Sequence, residues 1–79
     1  MSYIYQVEVI EDGDPCVVEE DIKVACERLG YDAQVYDEGD GFFQIEAERR
    51  LNMKAVKADI EALDGASRCK ITLELLQSP

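Results

Sequence analysis

The chain has 79 residues, with 18 Asp or Glu, 8 Lys or Arg and no His, for a formal net charge of −10. That length holds one small domain, and 47% hydrophobic residues supply a core, which argues against a disordered chain despite the charge. The acidity excludes a surface that grips phosphates or an anionic membrane leaflet, and no run approaches the roughly 20 apolar residues of a spanning helix.

Residues 3–10 alternate as a strand, with Tyr3, Tyr5, Val7 and Val9 on one face and Ile4, Gln6, Glu8 and Ile10 on the other. The run Glu11-Asp12-Gly13-Asp14-Pro15 breaks it. Asp14 before Pro15 is a helix start, a capping carboxylate followed by proline at the first helical position. A helix is predicted over residues 15–29, with Gly30 just past its end. Val18, Ile22, Ala25, Cys26 and Leu29 form its apolar stripe, while Glu19, Glu20, Lys23 and Glu27 face water.

A second strand is predicted over residues 31–36, with Ala33 and Val35 inward. Asp37-Glu38-Gly39-Asp40-Gly41 reads as a hairpin turn into a third strand, residues 42–47, with Phe43, Ile45 and Ala47 inward. A second helix begins at Leu51 or Asn52 and runs to Leu63 on the stripe Met53, Val56, Ile60 and Leu63. Asp64-Gly65 stops it. In the last strand, residues 68–76, Cys69, Ile71, Leu73 and Leu75 point inward and Lys70, Thr72 and Glu74 outward.

The order β-α-β-β-α-β with right-handed crossovers predicts an α+β, ferredoxin-like βαββαβ sandwich over residues 1–79. Its four-stranded antiparallel sheet has strand order 4-1-3-2, with both helices on one face.

The charge is not evenly spread. Residues 1–40 hold twelve acids against Lys23 and Arg28, whereas residues 41–79 hold six acids and six bases. The predicted topology brings Glu11, Asp12 and Asp14 of the first loop to the same end as Asp37, Glu38 and Asp40 of the hairpin. Glu19, Glu20 and Asp64 fall near that end, and Arg49 and Arg50 at the opposite one. Helix starts and turns attract acids in any case. Twelve against two exceeds what capping requires, and close like charges are repulsive.

Several chemistries lack their residues. There is no His, no nucleophile elbow and no phosphate-binding glycine pattern, so no catalytic residue is assigned and an enzyme is not expected. Cys16, Cys26 and Cys69 form no C-x-x-C, and Val18 and Glu19 stand where a ferredoxin-like heavy-metal carrier would place a partner for Cys16. Cys26 and Cys69 are expected in the core. Cys16 lies on the first helical turn, where the dipole lowers a thiol pKa and the surrounding carboxylates oppose it. Asp12, Asp14, Asp37, Glu38 and Asp40 are oxygen ligands of the kind Ca²⁺ or Mg²⁺ accepts, but the EF-hand pattern is absent, and no metal or other cofactor is assigned. Gly41-Phe42-Phe43-Gln44-Ile45-Glu46 superficially resembles the third-strand motif of RNA-recognition domains. Gln44 replaces the aromatic, Asp40 the base, and the charge has the wrong sign.

Protein binding remains. Carboxylates two apart on a strand stand about 6.7 Å apart, those three or four apart on a helix about 5–6 Å, and DNA carries a charge roughly every 3.4 Å along each strand. Such a body fits a basic groove meant for nucleic acid, and long-range attraction speeds its capture. In size, charge and expected fold the whole chain resembles small phage-encoded inhibitors, the DNA-mimic anti-restriction and anti-CRISPR proteins, although it shares no sequence motif with them. The resemblance implies a cytoplasmic inhibitor whose Glu11, Asp12, Asp14, Glu19, Glu20, Asp37, Glu38 and Asp40 face Lys and Arg of a nucleic-acid-binding protein. It implies no direct contact with nucleic acid or membrane, and a monomer. Three sparse cysteines and a start at Met1–Tyr5 without signal-peptide regions agree with a reducing cytoplasm. The alternative is a ferredoxin-like regulatory module binding a ligand or divalent metal. It would dimerise edge to edge through the exposed strands at residues 70–73 or 33–36, or through an apolar patch of Ile4, Ile10, Tyr36, Phe42 and Leu76 on the open sheet face. Gln6, Glu8, Gln44, Glu46, Lys70 and Glu74 make that face largely polar.

Overall fold

Alternation of side chains, with Tyr5, Val7 and Val9 buried and Glu8 and Ile10 exposed, builds the first strand, β1 (Tyr3–Ile10), in the computed structural model, which describes residues 2–10, 19–63 and 70–79. Then follow α1 (Glu19–Arg28), β2 (Ala33–Gly39), β3 (Phe42–Ala47), α2 (Met53–Leu63) and β4 (Lys70–Gln77). The four strands form one antiparallel sheet in the order β2-β3-β1-β4, the arrangement of a ferredoxin-like sandwich. The expectations for Asp14, Pro15, Cys16, Val18, Asp64, Gly65, Arg68 and Cys69 lie outside the described residues.

One face of the sheet joins both helices in a single core. Tyr5, Val7 and Val9 of β1, Phe43, Ile45 and Ala47 of β3 and Ile71 of β4 meet Ile22, Ala25 and Cys26 of α1 and Val56 and Ile60 of α2. Ala33, Val35, Leu73 and Leu75 pack against this cluster from the two outer strands. Leu51, 4% exposed, completes it from the connection into α2. Its helical period carries no hint of that, because Leu51 precedes the helix: Asn52 is the cap, its side-chain oxygen accepting from the Ala55 amide (3.2 Å).

Two expectations need correction. Leu29 is 39% exposed rather than buried, because the chain leaves the helix there. Gly30, with φ 82°, occupies the left-handed position after the helix. Its amide donates to Glu27 O (3.0 Å) and that of Tyr31 to Cys26 O (2.9 Å), the pair of bonds of a Schellman motif. The same motif delays β2, which starts at Ala33 instead of Tyr31 and runs on to Gly39. Tyr31 serves the helix end, and pairing with Phe43 and Phe42 carries the strand through Asp37 and Gly39, with Glu38 as an extra, bulged residue.

The far end of the sheet from the hairpin is pinned by two tyrosines and an arginine. The Tyr5 hydroxyl accepts from the Leu51 amide (2.9 Å, buried), and the Tyr31 hydroxyl accepts from that of Asn52 (2.9 Å). Arg49 donates to Gly30 O (2.6 Å), with its guanidinium 5.1 Å from the centre of the Tyr31 ring. A cation thus sits on the carbonyl end of α1, where the helix dipole favours it.

The register also fixes what each sheet edge presents. Val9 donates to Gly41 O (2.8 Å), so in β3 residues 43, 45 and 47 bond toward β1 and residues 42, 44 and 46 toward β2. In β2, Gln34 and Tyr36 therefore face β3, and the backbone groups of Ala33, Val35 and Asp37 point off the sheet. By the same parity those of Ile71, Leu73 and Leu75 point off the β4 edge. There Glu61 of α2 accepts from the Ile71 amide (3.2 Å), and a bulge at Leu76 interrupts the strand.

Candidate protein-binding surface

Turn chemistry places the hairpin acids. Asp40 and Gly41, at φ 53° and 82°, form the two-residue connection between Gly39 and Phe42, with both central residues left-handed as in a type I′ turn. Asp is one of the few residues with a side chain that tolerates this conformation. Asp37 accepts from the Gly39 amide through Oδ1 (2.8 Å), which shapes the approach to the turn. Asp37, Glu38 and Asp40 are all exposed. Asp37 and Asp40 therefore serve the turn as well as the surface.

Glu19 and Glu20 open α1 and are exposed. Together with Lys23, Glu27, Asp32 and Val35 they line a groove of about 230 Å³ between α1 and the start of β2. Glu27 and Asp32 were not among the expected site residues. The four-residue steps Glu19, Lys23, Glu27 were the available signal for one of them, since such positions share a helix face. The acids along β2 thus run from the groove, past Val35, to the hairpin. Among the described residues none of Glu19, Glu20, Asp37, Glu38 and Asp40 forms an ion pair. The salt bridge Arg28–Asp59 (3.8 Å) links α1 to α2 elsewhere. Glu11, Asp12 and Asp14 lie outside the described residues. They follow Ile10, and Val9 beside it is bonded to the hairpin.

The open sheet face is mixed. Ile10, Tyr36 and Leu76 are exposed at 49%, 46% and 51%, whereas Ile4 and Phe42 are half-buried. Polar neighbours interrupt them. Ile4 pairs with Glu46 and Gln77, Gln6 with Gln44 and Glu74, and Glu8 with Phe42 and Thr72. A shallow groove of about 300 Å³ runs from Gln6, Phe42, Gln44 and Leu76 to Glu38 and Asp40.

Cys26 is buried, as expected for a core thiol. Burial, with a smaller contribution from the Glu27 charge, pushes it from 9.0 up to about 11, so it stays protonated and inert at neutral pH. Among the described residues no three His, Cys, Asp or Glu side chains gather to hold a metal ion, and no helix is long and apolar enough to cross a membrane. Comparison with protein-family models, curated proteins and solved structures returned no match.

Proposed function

We propose that the protein is a non-catalytic binding module that presents its β2-side carboxylates to a basic surface of a nucleic-acid-binding protein and inhibits it by occupying that surface. The exposed acids Glu19, Glu20, Asp37, Glu38 and Asp40, none of them in an ion pair among the described residues, carry this reading. Acids of this kind attract Lys and Arg at long range and repel nucleic acid and anionic lipid. The anti-CRISPR and DNA-mimic inhibitors remain the class it resembles. Their basic effectors are the first partners to try, with the protein acting as a monomer in the cytoplasm.

The test is competition. A labelled DNA or RNA bound to a basic effector is titrated with the protein, and its release is followed by fluorescence anisotropy. Release is expected to weaken when salt is raised and to be lost in the Glu20→Lys, Glu38→Lys double variant. Release that is indifferent to both changes, or absent across a panel of basic effectors, overturns the proposal.

A further inference from the structure

The two edges of the sheet are not equivalent. On β4, Glu61 of α2 takes the outward amide of Ile71, and the bulge at Leu76 breaks the ladder. On β2, among the described residues, no group accepts from the outward amides of Ala33 and Val35. Strand β2 has no proline or lysine to blunt it, and its bulge comes only at Glu38. An open strand beside a groove is the geometry in which an extended segment adds to a sheet. Backbone bonds then give affinity, and alternate side chains give selectivity.

We propose that the β2 edge takes up a basic extended segment of the partner as a fifth, antiparallel strand. The inference rests on the acidic-surface reading above and names how that surface engages its partner.

Charge selects the occupant. A second copy pairing antiparallel about Val35 would bring Asp32 beside Glu38 at both ends of the pairing, acid against acid, so the edge rejects its own kind. A strand bonded to Ala33, Val35 and Asp37 turns every second side chain toward the α1 groove. Glu19 and Glu27 stand about 12 Å apart along the helix axis, close to the roughly 13 Å between side chains four apart on a strand. Lys23 lies between them. The segment that fits therefore carries bases at positions i and i+4 and a neutral residue at i+2.

The probe is a labelled, capped heptapeptide with lysine at its second and sixth positions, valine at the fourth and threonine elsewhere. Two forms are N-methylated, one at positions 2, 4 and 6 and one at positions 3 and 5. The unmethylated peptide is expected to bind saturably. Methylation at 2, 4 and 6 weakens it by about tenfold or more, and methylation at 3 and 5 leaves it nearly unchanged. Equal affinity of the two methylated forms overturns the added strand. If binding is then still lost in Glu19→Lys with Glu27→Lys, the carboxylates capture basic chains without a strand and the acidic-surface reading survives alone. Absence of peptide binding by a protein that still displaces nucleic acid also overturns the strand and not that reading.

Discussion

Tyr5 and Cys26 show how single side chains in so small a core do more than fill volume. The Tyr5 ring is fully buried on the core face of β1, and its hydroxyl takes the amide of Leu51, 46 residues away. A buried amide without a partner is costly, so this bond positions the connection into α2. The alternation of β1 assigned Tyr5 to the core, but nothing local announces what its hydroxyl meets. Cys26 carries a testable pH dependence. Its folded-state pKa of about 11 exceeds the ordinary 9.0, so the folded protein holds the proton longer than the unfolded chain. That contribution is complete below pH 9 and is lost as pH rises from about 9 to about 11, by up to about 2–3 kcal/mol at roughly 1.4 kcal/mol per unit. Urea titrations of the wild type and Cys26→Ala across this range should converge or cross as pH rises. A constant difference between them would show that the buried thiol contributes nothing to the alkaline limb.

At the scale of elements, turns and caps decide where the strands lie. Gly30 and Gly41 share φ 82°, yet their surroundings differ. A side chain at Gly30 meets open space, whereas a Cβ at Gly41 would sit 3.2 Å from Val9 O, the carbonyl of a central strand. Gly30→Ala should therefore cost about 1–2 kcal/mol, the price of a left-handed alanine, and Gly41→Ala roughly 1 kcal/mol more. Equal urea midpoints for the two variants would contradict the crowding at Val9. The same two glycines mark what was legible beforehand. Gly30 after an apolar helical stripe, and Asp-Gly between alternating strands, fixed the end of α1 and the hairpin without any tertiary information. The limits of β2 were less legible, because the Schellman bond of the Tyr31 amide ties that residue to the end of α1 and its hydroxyl holds the Asn52 amide. Leu29 satisfied the helical period but lies where the chain turns away, and Leu51 lies outside any period and is nonetheless buried. The hairpin acids could be read from turn chemistry. The groove with Glu27 and Asp32 could not, because it exists only once α1 lies beside β2.

For the whole molecule, the arrangement of bases matters as much as the excess of acids. Arg49 sits on the carbonyl end of α1 and Arg28 faces Asp59, which leaves Lys23 as the base among the acids of the groove against Glu19, Glu20, Glu27 and Asp32. Self-repulsion along that side should then oppose folding, and salt should relieve it. Raising NaCl from about 10 mM to about 150 mM shortens the screening length from about 30 Å to about 8 Å. The urea midpoint is expected to rise over this range. The Glu20→Lys, Glu38→Lys variant removes four units of the net −10 from the crowded side, so it should be more stable than the wild type at low salt and respond less to added salt. A wild-type midpoint that falls with salt would mean that attractive pairs dominate the surface. The carboxylates would then be partnered within the molecule rather than available to a basic partner.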